Sequence, residues 1–174
     1  MLRASPPAKD GAGDLPARLL RVGRDATRPT DIRLEALAAL DTGLAIVDAE
    51  VFALLRDSLA VTQPVPVRLA AAAVVERATF DRAQLQALTA ILRTSGPLEL
   101  PRLLPAFDHG SDESLGLEML AALAEAKGRS NVRAEVLRPR LAKYPESVRA
   151  RGEALLLTWR ADAAREAKRL DELL

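Results

Sequence analysis

The chain contains no cysteine and one histidine, and aromatic residues make up only 3% of its 174 residues. The lack of cysteine excludes disulfide bonds and thiolate metal sites within the chain. A single histidine cannot supply a typical zinc ligand set. Because strands are rich in aromatic and β-branched residues, this composition also disfavours a β-sheet.

The sequence also lacks a dominant charge and a long apolar run. Lysine and arginine together number 25 against 24 aspartate and glutamate residues, so no global field favours nucleic acid or anionic lipid. Arginine supplies 21 of the 25 cations, which fits genomic base composition better than a functional arginine surface. No segment predicts membrane insertion or a signal peptide, so an exported protein would contain this chain as a fragment.

Alanine and leucine are the abundant residues, with 33 and 31 copies. Both favour helices, and we predict an all-α protein. The stretch Val65 to Ala78 contains seven consecutive apolar residues, Leu69 to Val75, four of them alanine. A helix that is apolar almost all round must be covered on several sides, so this stretch predicts the inner helix of a helical repeat.

The start of that helix recurs along the chain. The pattern is an apolar residue, usually an arginine, and a second apolar residue at the helix start. It occurs at Ile32-Arg33-Leu34, then 35 residues later at Val67-Arg68-Leu69, 48 residues after that at Leu115-Gly116-Leu117, and after another 33 residues at Val148-Arg149-Ala150. Thr30 or Asp31 is the predicted N-cap of the first of these inner helices. Such a periodicity indicates an α-solenoid of about four helical pairs.

Amphipathic segments lie between the predicted inner helices. Residues 48–59, 81–94 and 131–143 carry leucine and valine at helical spacing and predict outer helices. An extra short helix over 98–107, which Pro105 would end or kink, would account for the 48-residue interval between the second and third predicted inner helices. Residues 15–24 predict an end cap, and 146–172 predict a long final helix whose second half covers one surface.

The predicted domain covers residues 15–174, and residues 1–14 are expected to form a disordered linker or a remnant of cloning. The alternation of amphipathic and apolar helices, with Val-Arg or Ile-Arg entering the latter, resembles HEAT repeats of the armadillo-like class between Asp31 and Leu157. This resemblance implies structural roles for Arg33, Arg68 and Arg149, each holding a neighbouring loop through an acidic partner.

Two later runs, GPLELPRLLPAFDHGSDESLGLEMLAAL and LRPRLAKYPESVRARGEALL, and the tail AAREAKRLDELL resemble the helical region of large bacterial dehydrogenase and cytochrome c multidomain proteins. The resemblance implies a spacer that precedes a cytochrome c domain, in a periplasmic or membrane-associated parent protein. The chain itself has no CxxCH haem motif, and the sequence predicts no cofactor. Residue patterns alone leave the localisation open.

No catalytic, cofactor-binding or metal-binding residue is predicted. His109 lies in the acidic loop 108–113, which we interpret as a helix end followed by Ser111 or Asp112 as the next N-cap rather than as a cation site. Arg138, Arg140, Arg149 and Arg151 could form a basic patch, but a solvated surface paired with Glu146 and Glu153 is the favoured interpretation.

The sequence therefore predicts a non-enzymatic scaffold or protein-interaction module whose partner is a protein or a neighbouring domain. The alternative is a nucleic-acid-binding or DNA-glycosylase-like HEAT protein. Such enzymes need a basic groove with aromatic residues and a catalytic carboxylate, whereas Tyr144, Trp159 and the three phenylalanines are spaced as core residues. Nucleic acid is the less favoured partner.

Overall fold

A computed structural model describes residues 14–108 and 110–173 of the chain. These residues form nine α-helices and no β-strand, which confirms the all-α prediction. The predicted linker lies outside the described residues apart from Asp14. In chain order the helices are α1 (Leu15–Arg24), α2 (Thr30–Ala38), α3 (Ala49–Ser58), α4 (Val65–Val75), α5 (Arg82–Thr94), α6 (Leu100–Leu103), α7 (Glu113–Glu125), α8 (Ala134–Leu141) and α9 (Glu146–Asp171).

Two kinds of residue start most of these helices. Asp48, Asp81 and Asp112 each accept a hydrogen bond from a backbone N–H in the first turn of α3, α5 and α7. Such caps satisfy donors that have no partner inside the helix. Proline is the N-cap of α2, α4 and α9, so the predicted cap of α2 at Thr30 or Asp31 is wrong.

The helices pack in two layers. In one layer α2 packs against α4 and α4 against α6, and in the other α3 packs against α5, α5 against α7 and α7 against α9. At one end of the stack α1 packs on α2, and at the other α8 packs on α9 and on the 3-10 turn Leu104–Phe107 that follows α6. Pro105 lies in that turn, as the sequence predicts for the end of the short helix.

Neighbouring helices within a layer run in the same direction. At the start of α5, Arg82 forms an ion pair with Asp112 at the start of α7, with 3.0 Å between nitrogen and oxygen. Near the end of α5, Arg93 pairs with Glu125 at the end of α7 at 3.2 Å. The other stacked pairs also meet start to start or end to end, with the Gln84 side chain on the Val47 carbonyl between α5 and α3 and the Arg77 side chain on the Ala38 carbonyl between α4 and α2. Each layer is therefore a parallel stack.

The predicted assignment of helices to layers is wrong after α5. The sequence predicts that α7 and α9 follow α2 and α4 as inner helices, with the short helix as an insertion. In the structure α6 packs on α4 as the next helix of that layer. Leu100, Leu103 and Leu104 are fully buried in this contact region. Helix α7 consequently stacks on α5, which had been predicted as an outer helix.

The surroundings of Gly116 explain why the repeat pattern wrongly predicted α7 as an inner helix. This glycine aligns with Arg33 and Arg68, but it lies against the ring of Tyr144 and the side chain of Val148. A Cβ atom at this position would approach Cδ1 of Tyr144 to 2.7 Å, which is closer than carbon atoms pack. The position needs a glycine for close helix contact, and an arginine could not occupy it.

Helix α4 lies in the core, as its composition predicts. All residues from Val67 to Val75 are buried or half-buried, and Ala71, Ala72 and Val75 have no exposed surface. The second half of α9 differs from its prediction. From Arg160 onwards every described residue except Asp162 is exposed, so this half covers no surface of the part of the chain that the structure describes.

Candidate functional site

The described residues contain no group of three or more His, Cys, Asp or Glu side chains placed to hold a metal ion. His109 lies outside the described residues, so its interpretation stays a prediction. Asp112, one of the two residues predicted to cap the helix after the acidic loop, is the N-cap of α7. Its carboxylate accepts a hydrogen bond from the Leu115 N–H at 2.9 Å. That hydrogen bond, together with the Ser114 hydroxyl and Arg82, lowers the pKa of Asp112.

The three arginines of the predicted repeat bind backbone carbonyls, at the end of α1 for Arg33 and in the loops before α4 and α9 for Arg68 and Arg149. Arg33 donates to the Gly23 carbonyl at 3.1 Å, and Arg149 donates to the Tyr144 carbonyl at 2.9 Å. Arg68 donates to the Gln63 carbonyl at 2.8 Å and is the one of the three that pairs with a carboxylate. These hydrogen bonds give all three residues a structural role, and among the described residues the acidic partner implied by the resemblance is seen for Arg68 alone.

The partner of Arg68 is Glu99, the N-cap of α6, whose carboxylate oxygen lies 2.7 Å from the arginine Nε. Glu99 is a buried residue, with 3% of its surface exposed. A carboxylate in such a place requires a hydrogen-bonded counter-charge. This ion pair therefore joins the start of α4 to the start of α6 and fixes the position of the short helix.

The predicted basic patch consists mostly of arginines with local partners. Arg138 forms two hydrogen bonds to Glu153, at 2.7 and 2.8 Å. Arg140 donates to the Val136 carbonyl at 2.7 Å and lies 3.4 Å from Asp108. The predicted pairing with Glu153 is thus observed, and these guanidinium groups are engaged within the fold.

Tyr144 is the largest fully buried side chain of the described residues. Its hydroxyl donates to the Phe107 carbonyl at 3.0 Å, which ties the loop before α9 to the turn after α6. Burial raises the pKa of Tyr144 to about 12, with further contributions from Asp108 and Asp112. The aromatic residue is therefore a core anchor, as its spacing in the sequence predicts.

A groove of about 570 Å³ lies between the start of α8 and the middle of α9. Its floor is apolar, with Val132 buried and Leu156 and Trp159 half-buried. Charged side chains of both signs surround this floor: Arg129, Arg133, Glu135, Arg138, Glu153, Arg160, Asp162 and Glu166. An apolar floor with a charged rim is the usual composition of a protein-binding surface.

The groove continues along the exposed end of α9 and the turn that follows it, residues 160–173, which we call the α9 tip. Leu170 and Leu173 on this tip have 58% and 81% of their surface exposed. They lie on the same helical face as Trp159 and Ala163, given their spacing of three and four residues. The sequence predicts an apolar stripe of Ala163, Ala167, Leu170 and Leu174, and the structure adds that Leu170 and Leu173 are covered by no helix among the described residues.

Comparison of the chain with protein-family models, with curated proteins and with solved structures finds no match. Among the described residues, no helix combines the length and the apolar character needed to cross a bilayer. The interpretation of the site therefore depends on the geometry described above.

Proposed function

We propose that the protein is a non-catalytic scaffold that binds another protein through the groove between α8 and α9. One observation carries this proposal: Trp159 and Leu156 form an apolar floor beside a helix tip that exposes Leu170 and Leu173. Partly exposed tryptophan in a concave surface is typical of residues that dominate binding energy at protein interfaces. Exposed apolar patches surrounded by polar residues also mark such interfaces.

The scaffold itself we propose to be a HEAT-like α-solenoid. Its support is the parallel stacking, in which α4 follows α2 and α5 follows α3 within each layer. Repeat proteins of this kind stack units that contact only their neighbours and bind partners on extended surfaces. The resemblance to multidomain redox proteins extends the proposal to a spacer role, which predicts a CxxCH motif encoded in frame after Leu174. A stop codon there would contradict the spacer role alone.

Site-specific photocrosslinking tests the binding proposal. A photoreactive amino acid at Ala163, which is exposed and lines the groove, is expected to form a covalent adduct with a protein partner in cells of the source organism. The same amino acid at Ala90, an exposed position on α5, provides the matched control. If adducts from position 163 are no more abundant than those from position 90, the groove is not a binding surface.

A further inference from the structure

The α9 tip has no tertiary support from the residues that the structure describes. Apart from Asp162, each described residue from Arg160 to Leu173 is exposed. Helices of about 12 to 15 residues are marginally stable in water when nothing packs against them. Partner contacts along the tip would therefore stabilise the segment as well as cover its leucines.

The apolar stripe of α9 has the spacing of a helix that pairs with another helix. Its positions alternate by three and four residues from the groove to the tip, and all except Glu166 are apolar: Leu156, Trp159, Ala163, Glu166, Leu170 and Leu173. This alternation is the pattern of positions that face a partner in a two-helix coiled coil. At the groove end the stripe offers a cavity, and at the tip end it offers two projecting leucines.

We propose that the groove binds the α9 tip of a second copy of the chain, which gives a two-fold symmetric, antiparallel dimer. In this arrangement Leu170 lies beside the partner's Trp159, and Leu173 lies beside the partner's Leu156. The two-fold axis makes both contacts occur twice, because each copy supplies one groove and one tip. The inference depends on the proposed function, since it names the protein that occupies the groove.

The charges beside the stripe are self-complementary in the antiparallel direction. Asp162 and Arg169 lie seven residues apart and therefore occupy the same position of the heptad. When the helices run antiparallel, Asp162 faces the partner's Arg169 and Arg169 faces the partner's Asp162. Asp171 and Glu172 at the tip approach the groove rim, where Arg133 and Arg160 lie. Complementary charges of this kind specify the partner and its orientation.

The contact surface sets the expected strength of the dimer. The helical part of the tip, residues 160–171, has 12 residues, which corresponds to roughly 18 Å of helix at 1.5 Å per residue. Interfaces this short fall in the range of weak, transient complexes, below about 1,200 Å² of total buried surface. The dimer should therefore dissociate on dilution rather than be permanent.

Sedimentation equilibrium of the full chain over a range of loading concentrations tests this dimer. The wild-type chain should show a reversible monomer–dimer equilibrium, and Leu170→Asp should weaken the dimer at least about tenfold because it places a charge against the partner's Trp159. Leu98→Asp is the matched control, since Leu98 is equally exposed, at 57%, but lies before α6. A wild-type chain that stays monomeric, or equal dissociation of both variants, would overturn the proposal.

Charge reversal tests the orientation. Asp162→Arg and Arg169→Asp should each weaken the dimer, and the double variant should restore it because the complementary pairs re-form with opposite sign. A double variant no stronger than the single ones would overturn the antiparallel arrangement. A monomeric chain that still gives a heterologous adduct at position 163 would refute the dimer while leaving the proposed binding function intact.

Discussion

At the scale of single residues, the polar side chains inside this protein connect elements to one another. Arg68 and Glu99 join α4 to α6, and the Tyr144 hydroxyl joins the loop before α9 to the Phe107 carbonyl. Neither contact could be derived from the sequence, because each pairs residues more than 30 positions apart. The sequence predicted that Arg68 and Tyr144 are structural, and the family resemblance implied an acidic partner for Arg68 without identifying Glu99.

Tyr144 makes the stability of the fold sensitive to alkaline pH. Its pKa is about 12 in the folded chain, against 10.0 for the unperturbed side chain. Because the folded state retains the proton more strongly, the contribution of Tyr144 is complete below the unfolded pKa and is lost as the pH rises through the folded value. A loss on the order of 2 to 3 kcal/mol is expected between these two values.

Urea unfolding at a series of alkaline pH values checks this expectation, with Tyr144→Phe as the control variant that removes the titrating hydroxyl. Since Tyr144 is the only tyrosine of the chain, the ultraviolet absorbance of tyrosinate reports its ionisation directly. An ionisation midpoint near that of free tyrosine in the folded chain would contradict the burial of this side chain.

At the scale of helices, the sequence indicated the elements but not their neighbours. The range Leu15–Arg24 was predicted as observed. Helices α5 and α9 differ from their predictions by one residue at one end, and α3 differs by one residue at each end. Proline, aspartate caps and apolar periodicity are local signals, so they report where helices start and which face is buried. Which helix covers which face depends on packing between distant segments. This dependence explains why α6 was misassigned as an insertion.

The cap of α7 offers a prediction at this scale. Replacement of Asp112 by alanine should lower the urea midpoint, because the first-turn N–H of Leu115 loses its acceptor. Asp112→Asn keeps an acceptor oxygen and should retain most of the stability at neutral pH. Because the Asp112 pKa is lowered in the folded chain, wild-type stability should fall as the pH drops below the ordinary aspartate value of 3.8.

The two variants separate the cap from the charge. Asp112→Asn should lack the part of the acid dependence that belongs to this carboxyl group, while sharing the remainder with the wild-type chain. An asparagine variant that is as unstable at neutral pH as the alanine variant would show that the hydrogen bond to Leu115 contributes nothing.

At the scale of the whole molecule, each helix contacts few others, and most of these are its sequence neighbours or the next member of its layer. Helix α4 contacts α2, α3 and α6, so it connects the first part of the stack to the rest. Stability in such an architecture is close to a sum of unit and neighbour contributions. Damage to a central helix should therefore spread to its neighbours before it reaches the ends.

Ala72→Asp tests this property. Ala72 has no exposed surface, so the substitution buries an unpaired charge and should lower the free energy of unfolding by more than about 4 kcal/mol. Ala90→Asp introduces the same charge at an exposed helical position and should change stability little. Hydrogen exchange should accelerate first in α2 and α6. An unchanged melting temperature in Ala72→Asp would contradict the inner position of α4.

The regular offset between stacked helices has a consequence for the length of the molecule. The capping aspartates Asp48, Asp81 and Asp112 stand at intervals of 33 and 31 residues, and each begins a helix of the same layer. An added or deleted unit of this size would move the two ends of the stack apart or together by one helix spacing, roughly 8 to 10 Å. The distance between whatever is attached at the two ends is thus adjustable in fixed steps, without altering the surface at either end.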